Sequence, residues 1–320
     1  MNPDNSPAQT AIELIKAALP RGLRTIVYTQ SRKMTELIAM WAADRAGKFR
    51  SRISAYRAGY LPAERRQIES RLANGDLLAV ISTRALELGI DIGHLDLCIL
   101  VGYPGSVVAT RQRGGRVGRG GQDSALVIIG GNDALDQYVM LHPEETMSRK
   151  PERAIVHPNN SIISALHLEC AAAELPLDAN ENLLKSKAAR AVLAELEENG
   201  RLLREAAGST IIAKRGRPHR SVNLRGGGDR YQIVDALNHH RIGEIDAFRV
   251  YRETHPGAVY LHRGDSYIVD HLDEKDCKVL VSRQAVDYFT RVKSHKKTEI
   301  IQTENIKNYE ATRFCFGRIK

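Results

Sequence analysis

The sequence is sparing in the residues that would assign it to several common classes. It has four cysteines, Cys98, Cys170, Cys277 and Cys315. They lie too far apart for zinc-ligand spacing or a disulfide framework. Each falls in an apolar stretch and is expected as a small core residue. The eleven histidines form no HExxH or paired-ligand pattern, so no metal site is expected. Aromatic residues make up only 5%. We find no basic motif interleaved with aromatics of the kind that stacks single-stranded bases. No apolar run reaches membrane-spanning length, and the opening MNPDNSPAQT lacks a basic region followed by an apolar one. Neither a membrane span nor a secretory signal is expected, and the cytoplasm is the expected compartment. No GxxxxGKS/T loop occurs, so nothing in this sequence cradles the β- and γ-phosphates of a nucleotide.

What is present suits two or three globular domains. The chain has 320 residues, 42% hydrophobic and 27% charged, enough for each domain to bury its own core. The net charge of +9 favours a polyanionic partner, but placement says more than the total. Residues 206–228 hold Lys214, Arg215, Arg217, Arg220 and Arg225 without one acid. Residues 111–119 hold Arg111, Arg113, Arg116 and Arg119, also without an acid. A solvated face and a nucleic-acid contact both explain such a stretch.

Residues 1–150 alternate in type. Helix is expected over Ala11–Leu19, then a buried strand at Thr25–Thr29. Ser31 caps a helix reaching about Arg45, with Met34, Leu37, Ile38 and Trp41 on one face. Strands follow at Arg52–Tyr56, Leu77–Ser82, Leu95–Val101 and Ala125–Ile129. Pro62 opens the helix between the first two of these, with Ile68 and Leu72 on one face, and Asn74-Gly75 closes it. Strand–helix–strand repetition argues an α/β domain with a parallel sheet covered on both faces. Residues 151–220 change character. Ser161–Leu175 is apolar nearly all round and expected buried. Glu181–Glu198 is amphipathic, with Ala189, Val192, Leu193 and Leu196 aligned. The short strands Arg201–Arg204 and Thr210–Ala213 complete a winged-helix pattern. Residues 221–320 are β-rich, with strands at Tyr231–Val234, Arg241–Asp246, Ala258–His262, Ser266–His271 and Lys278–Ser282. His262-Arg-Gly-Asp265 reads as a hairpin turn, and a small barrel is the expected arrangement. Phe314–Lys320 reads as a strand with no partner after it, which suggests truncation here as well as at the start.

Two motifs carry chemistry. Gln112-Arg-Gly-Gly-Arg-Val-Gly-Arg119 sets Arg116 and Arg119 three apart, each preceded by glycine. Gly115 and Gly118 keep the backbone free of bulk beside two rigid guanidinium forks. Such forks suit the oxygens of a transferring phosphoryl group, and equally a nucleic-acid backbone. Ser82-Thr-Arg-Ala-Leu-Glu-Leu-Gly-Ile-Asp-Ile-Gly93 directly follows an expected buried strand, where open α/β sheets place ligands. Thr83 can hydrogen-bond a phosphate, Asp91 can accept from a ribose hydroxyl, and Gly89 permits the turn between them. Asp273-Glu-Lys-Asp276 spells a DExD box, but it lies between two expected strands with no phosphate loop before it, and reads as a charged hairpin turn.

Thr25-Ile-Val-Tyr-Thr-Gln-Ser-Arg32, Tyr56-Arg-Ala-Gly59, Ser82–Gly93 and Gln112–Arg119 together resemble motifs IV, IVa, V and VI of superfamily-two DEAD/DEAH-box ATP-dependent helicases. The match covers about residues 1–145. It implies a RecA-like C-terminal motor lobe, using ATP and Mg2+ held mainly by an absent first lobe. By this resemblance Gln112, Arg116 and Arg119 face the γ-phosphate, and Gly89, Asp91, Gly115 and Gly118 lie near the nucleotide. Ser31, Arg32, Gly59, Thr83 and Arg84 would hold a nucleic-acid backbone, joined by Lys214, Arg215, Arg217 and Arg220 of the extension. His157-Pro-Asn-Asn160, His167–Pro176, Arg217-Pro-His-Arg220, Val222-Asn-Leu-Arg225 and His255–His262 resemble the YprA-type (Mrf-like) branch. That branch implies 3′–5′ translocation on DNA and a role in repair. It also implies a four-cysteine zinc domain that nothing here matches. The partners expected are DNA and the absent lobe, in cis or in trans. A non-catalytic nucleic-acid-binding module on a degenerate scaffold, or an RNA helicase, are the rival readings.

Overall fold

The computed structural model describes residues 6–87, 94–157, 159–206, 208–214, 216–222, 229–293, 295 and 297–320. In chain order its first elements are α1 (Pro7–Ala18), β1 (Thr25–Tyr28), α2 (Arg32–Arg45), β2 (Ile53–Tyr56), α3 (Pro62–Ala73), β3 (Ala79–Ser82), β4 (Leu97–Val101), α4 (Val107–Gly114), β5 (Ala125–Ile129), α5 (Ala134–Leu141) and α6 (Pro143–Ser148). Then come α7 (Ser161–Glu174), β6 (Leu177–Asp178), α8 (Lys187–Glu198), β7 (Leu202–Arg204) and β8 (Thr210–Ala213). The last are β9 (Arg230–Asp235), β10 (Arg241–Asp246), α9 (Ala247–Glu253), β11 (Val259–His262), β12 (Asp265–Asp273), β13 (Lys278–Arg283), β14 (Ile300–Tyr309) and β15 (Thr312–Ile319). They form two compact units. One comprises Met1–Gln30 and Glu87–Asp229, the other Ser31–Leu86 and Arg230–Lys320.

In the first unit β1, β4 and β5 pair in parallel, with Thr25 opposite Leu97 and Leu97 opposite Ala125. All four residues of β1 are buried, as a β-branched central strand requires. Helix α1 covers this sheet with Ala8, Ala11, Ile12, Ile15 and Ala18, a helical stripe. Burying each isoleucine contributes roughly 1.5–3 kcal/mol. The same unit carries the winged-helix elements α7, α8 and the antiparallel sheet β6-β8-β7. Leu168, Ala172, Leu177, Val192, Leu193, Leu196, Leu202 and Ile211 form its core. Two expectations are corrected here. Helix α7 buries only one face, since Ile162 and Ile163 are exposed. The expected Glu181–Glu198 helix breaks into a short 3-10 turn at Asn182–Leu184 and α8, because Ser186 caps a new start by accepting the Ala189 N–H.

In the second unit β2 and β3 pair in parallel. Ser31 caps α2 by accepting the Met34 N–H at 3.1 Å. Pro62 sits at the first position of α3, the Glu64 carboxylate reaches back to the Leu61 N–H at 2.9 Å, and Asn74 ends the helix. The β-rich region is an open sheet in the order β10-β9-β13-β12-β11, antiparallel except for β13 beside β9. The barrel expectation is thus replaced by a sheet with two edges. Arg263 and Gly264 take positive φ, 52° and 89°, as a tight turn between β11 and β12 requires. Asp273 accepts the N–H groups of Lys275 and Asp276, so the DExD-like run is a hairpin turn. Residues 314–320 do form a strand, and its partner is the strand before it: β15 pairs antiparallel with β14, and both are exposed throughout. Of the cysteines only Cys98 is buried; Cys170 and Cys277 are half-buried and Cys315 is exposed, which corrects the expectation of four core residues. No helix among the described residues is long and apolar enough to cross a membrane.

Candidate functional site

The arginine-rich motif begins on α4. Ser106 caps this helix by accepting the Ala109 N–H, and the Glu152 carboxylate accepts the Val107 and Val108 N–H groups at 2.7 and 3.1 Å. Its amino end is therefore saturated from within the protein. At its carboxyl end Arg113 Nε lies 2.9 Å from Glu87 Oε2, and its guanidinium stacks 5.2 Å from the centre of the Tyr28 ring. Burial pushes the Tyr28 phenol well above its ordinary range and the Cys98 thiol up to about 12. Cys98 therefore stays protonated and offers no nucleophile.

Arg116 is turned inward. It is 5% exposed, and its Nε and Nη2 donate to the Glu87 carbonyl at 3.0 and 2.6 Å. The expectation that Arg116 stands ready beside Arg119 to face a γ-phosphate is corrected at this residue, which is held inside instead. A guanidinium that already satisfies a backbone carbonyl is stable when buried. Arg119 is exposed, its Nε donating to the Gly115 carbonyl at 2.9 Å, and Gln112 is exposed as well. Gly118 has φ of 71°, and a Cβ there would stand 2.5 Å from Ser124 Oγ. Gly115 is crowded too, at 3.0 Å from the Arg111 carbonyl. Both glycines thus serve the local turn. Gly89 and Asp91 lie outside the described residues. Glu87, the residue before that stretch, holds Arg113 by its carboxylate and Arg116 by its backbone carbonyl, so the two motifs meet at one residue. Sequence reasoning passed over Glu87 and Arg113; the signal was a single carboxylate between Thr83 and Gly89.

The residues expected to hold a nucleic-acid backbone divide in two. Lys214, Arg217, Arg220 and Arg84 are exposed, Thr83 is half-buried, and Arg215 lies outside the described residues. Arg32 points instead at two carboxylates, Asp246 at 3.4 Å and Glu253 at 3.9 Å. A strand contact by Arg32 would have to displace both, so its position is corrected to an internal tie. Ser31 serves as the α2 cap. Gly59 permits a close backbone crossing: Glu244 N–H donates to the Gly59 carbonyl at 3.0 Å, and a Cβ at Gly59 would stand 2.8 Å from the Glu244 carbonyl.

Next to Gly59 is a buried polar cluster. Arg57 and Glu36 are 3% and 2% exposed, with Arg57 Nε 2.9 Å from Glu36 Oε1, close but off the hydrogen-bond axis. Tyr60 donates to Glu36 at 2.6 Å. Arg57 Nη2 donates to Tyr260 Oη at 2.9 Å and to the Leu261 carbonyl at 2.6 Å, between the rings of Tyr60 and Tyr260. Burial raises the pKa of Glu36 above the ordinary carboxylate value, with Arg57 and Tyr60 pulling it back. His262 sits 3.4 Å from Arg57 through Nδ1 and 3.1 Å from Glu64 through Nε2. Burial, then the neighbouring Arg57, lowers its pKa to about 4, so it is neutral and, with these partners, carries its proton on Nε2.

Two family models match the chain: the helicase conserved C-terminal domain over residues 8–121, and the winged-helix domain of the ATP-dependent helicase HRQ1 over residues 156–227. The ATP-dependent helicase YprA of Bacillus subtilis is 36% identical over 313 residues, which is 96% of this chain and 42% of that protein. The chain belongs to the YprA- and HRQ1-like helicases. HRQ1 of Saccharomyces cerevisiae is 29% identical over 99% of this chain and 30% of its own length. The crystal structure of the DUF1998 helicase MrfA bound to DNA matches with a TM-score of 0.81 at 36% identity, over 98% of this chain and 43% of that one. This YprA-like chain thus spans less than half the length of these relatives. Its parallel-sheet elements are those of a RecA-like helicase C-terminal lobe, followed by a winged helix and further β-sheets.

Proposed function

We propose that this chain supplies the second motor lobe and DNA-binding extension of an ATP-dependent 3′–5′ DNA helicase acting in DNA repair. Residues 1–150 serve as the motor lobe, 151–220 as the winged helix and 221–320 as the β-rich domain. The observation that carries the reading is the convergence of Arg113 and Arg116 on Glu87, which fixes the loop and leaves Arg119 facing solvent. An exposed guanidinium on an anchored loop is what a phosphate-contacting arginine supplied across an interface requires. No phosphate loop occurs in the sequence, so ATP and Mg2+ are held by a separate lobe. When bound, ATP supplies the γ-phosphate on which negative charge develops. Arg119, assisted by Gln112, offsets that charge. Arg116 does so only by exchanging its two bonds to the Glu87 carbonyl for phosphate oxygens. Arg84, Thr83 and the exposed Lys214, Arg217 and Arg220 hold the DNA backbone, so binding is salt-sensitive and indifferent to sequence. Support comes from the relative crystallised with DNA, and from a structure of it with DNA and AMPPNP that matches at a TM-score of 0.74.

The inward packing of Arg116 also fits a second reading, a DNA-binding module on a scaffold that no longer turns over ATP. Alanine at Arg116 and at Arg119, each in a protein that joins this chain to a phosphate-loop lobe, separates the two. The motor reading expects DNA-stimulated turnover to fall on the order of 10³-fold with DNA binding retained. Unchanged turnover favours the binding module.

A further inference from the structure

Helix α9 carries two exposed aromatic rings and, in Arg252, a cation that makes no ion pair among the described residues. Its inner side is fixed: Val250 is fully buried in the core of the β-rich sheet, and the Thr254 hydroxyl closes the helix end on the Val250 carbonyl at 2.8 Å. Its outer side presents Phe248, 65% exposed, with Tyr251 at 55% and Arg252, at the three- and four-residue spacing that puts them on one face. Aromatic surface of this kind gains stability when covered, so a neighbouring exposed pair calls for an occupant.

The acids at the two ends of the helix are already paired. Asp246 and Glu253 are taken up by Arg32, and Glu253 also by Arg249 at 3.3 Å. Glu274 receives the Tyr251 hydroxyl, which orients that ring. Among the described residues Arg252 and Lys275 make no ion pair or side-chain hydrogen bond. Arg252 follows Tyr251 and Lys275 follows Glu274, so two unpaired cations and the one Glu274 carboxylate adjoin the Tyr251 ring. Arg249 lies over the Phe248 ring, 5.1 Å from its centre, and the ring surface still exposed beside unpaired cations matches a chain of stacked bases joined by phosphates.

Resting on the DNA-binding reading above, we propose that α9 is a stacking platform for single-stranded DNA. Phe248 and Tyr251 receive bases, and Arg252 and Lys275 receive the adjoining phosphates. The run Phe248-Arg-Val-Tyr-Arg252 corrects the expectation that no basic motif interleaved with aromatics occurs; only the helix puts its two rings on one exposed face.

The test is fluorescence anisotropy of this chain with labelled oligo(dT), over a salt series. Phe248→Ala with Tyr251→Ala should raise the Kd about tenfold or more with the salt slope unchanged, since stacking carries no counterion term. Arg252→Ala with Lys275→Ala should reduce the slope of log K against log salt by about 1.4, or ~0.7 per phosphate. A duplex of matched length should respond less than oligo(dT) to the aromatic pair. All four side chains are exposed, so circular dichroism should match the parent. Oligo(dT) affinities within twofold of the parent in both double variants overturn the proposal. So does a parent that does not bind oligo(dT), or one that prefers oligo(rU) through these residues. Failure here leaves the Arg119 result untouched, and failure there leaves this one.

Discussion

Replacing Arg57 by alanine is expected to be among the most destabilising single changes in the second unit. Glu36 would remain buried with Tyr60 as its hydroxyl donor and without its cation. Its escape is to bind a proton. Raising a carboxyl from its ordinary 4.5 to the neutrality of the buffer costs about 3 kcal/mol at 1.36 per pH unit. The Tyr260 hydroxyl and Leu261 carbonyl also lose the guanidinium, each bond contributing about 1 kcal/mol. The total, ~3–5 kcal/mol, agrees with the usual effect of removing one partner of a buried pair. It is a large share of the roughly 5–15 kcal/mol that holds a domain folded. Replacing Glu36 by leucine and Arg57 by methionine together should cost far less, because neither leaves a charge behind. Urea unfolding followed by the fluorescence of Trp41, the only tryptophan and part of α2, reads both variants. A loss below 1 kcal/mol in Arg57→Ala, or a double variant weaker than the single, would refute the reasoning.

Three further outcomes follow from the same geometry. Stability should fall as pH drops below 6.5, because unfolded chains then protonate His262 while the fold holds it neutral down to about 4. The loss should reach about 3 kcal/mol, level off below that point, and shrink in His262→Gln, as urea midpoints across pH would record. Alanine at Gly59 or at Gly243 should lower the unfolding free energy by about 1–3 kcal/mol, read as a lower urea midpoint, since either Cβ would lie 2.8 Å from a backbone oxygen; equal midpoints would count against the crossing. Glu152→Ala should weaken the start of α4 by freeing the Val107 and Val108 amides, and faster hydrogen exchange at those two positions would record it; unchanged exchange would count against the cap.

Local signals were legible in the sequence where one residue determines one feature. Ser31 as a cap, Pro62 as an opening, Asn74-Gly75 as a stop and the turn at Arg263-Gly264 all stand as expected, because each depends on its own backbone. Strand β5 and strand β10 fall at the expected residues. Elements without a regular apolar pattern escaped. Strand β14 mixes isoleucines with Gln302, Glu304 and Lys307, and α9 buries only Val250 in seven residues. Helix α7 shows the opposite failure, since an apolar composition does not say which face finds a partner. The Glu36–Arg57–Tyr260 cluster could not be read at all, because Arg57 and Tyr260 lie 203 residues apart and charged side chains are expected outside. The same blindness left Arg116 expected to face a γ-phosphate, when a carbonyl contributed by Glu87 holds it inside.

The account depends most on this chain being one half of a two-lobed motor whose partner lobe holds the triphosphate. DNA-stimulated ATP turnover, measured first on the pure chain and then after joining it to a phosphate-loop lobe of a YprA-like helicase, tests that directly. No turnover alone and clear turnover once joined is the expected pair of results. Turnover by the chain alone, or none after joining, would contradict it.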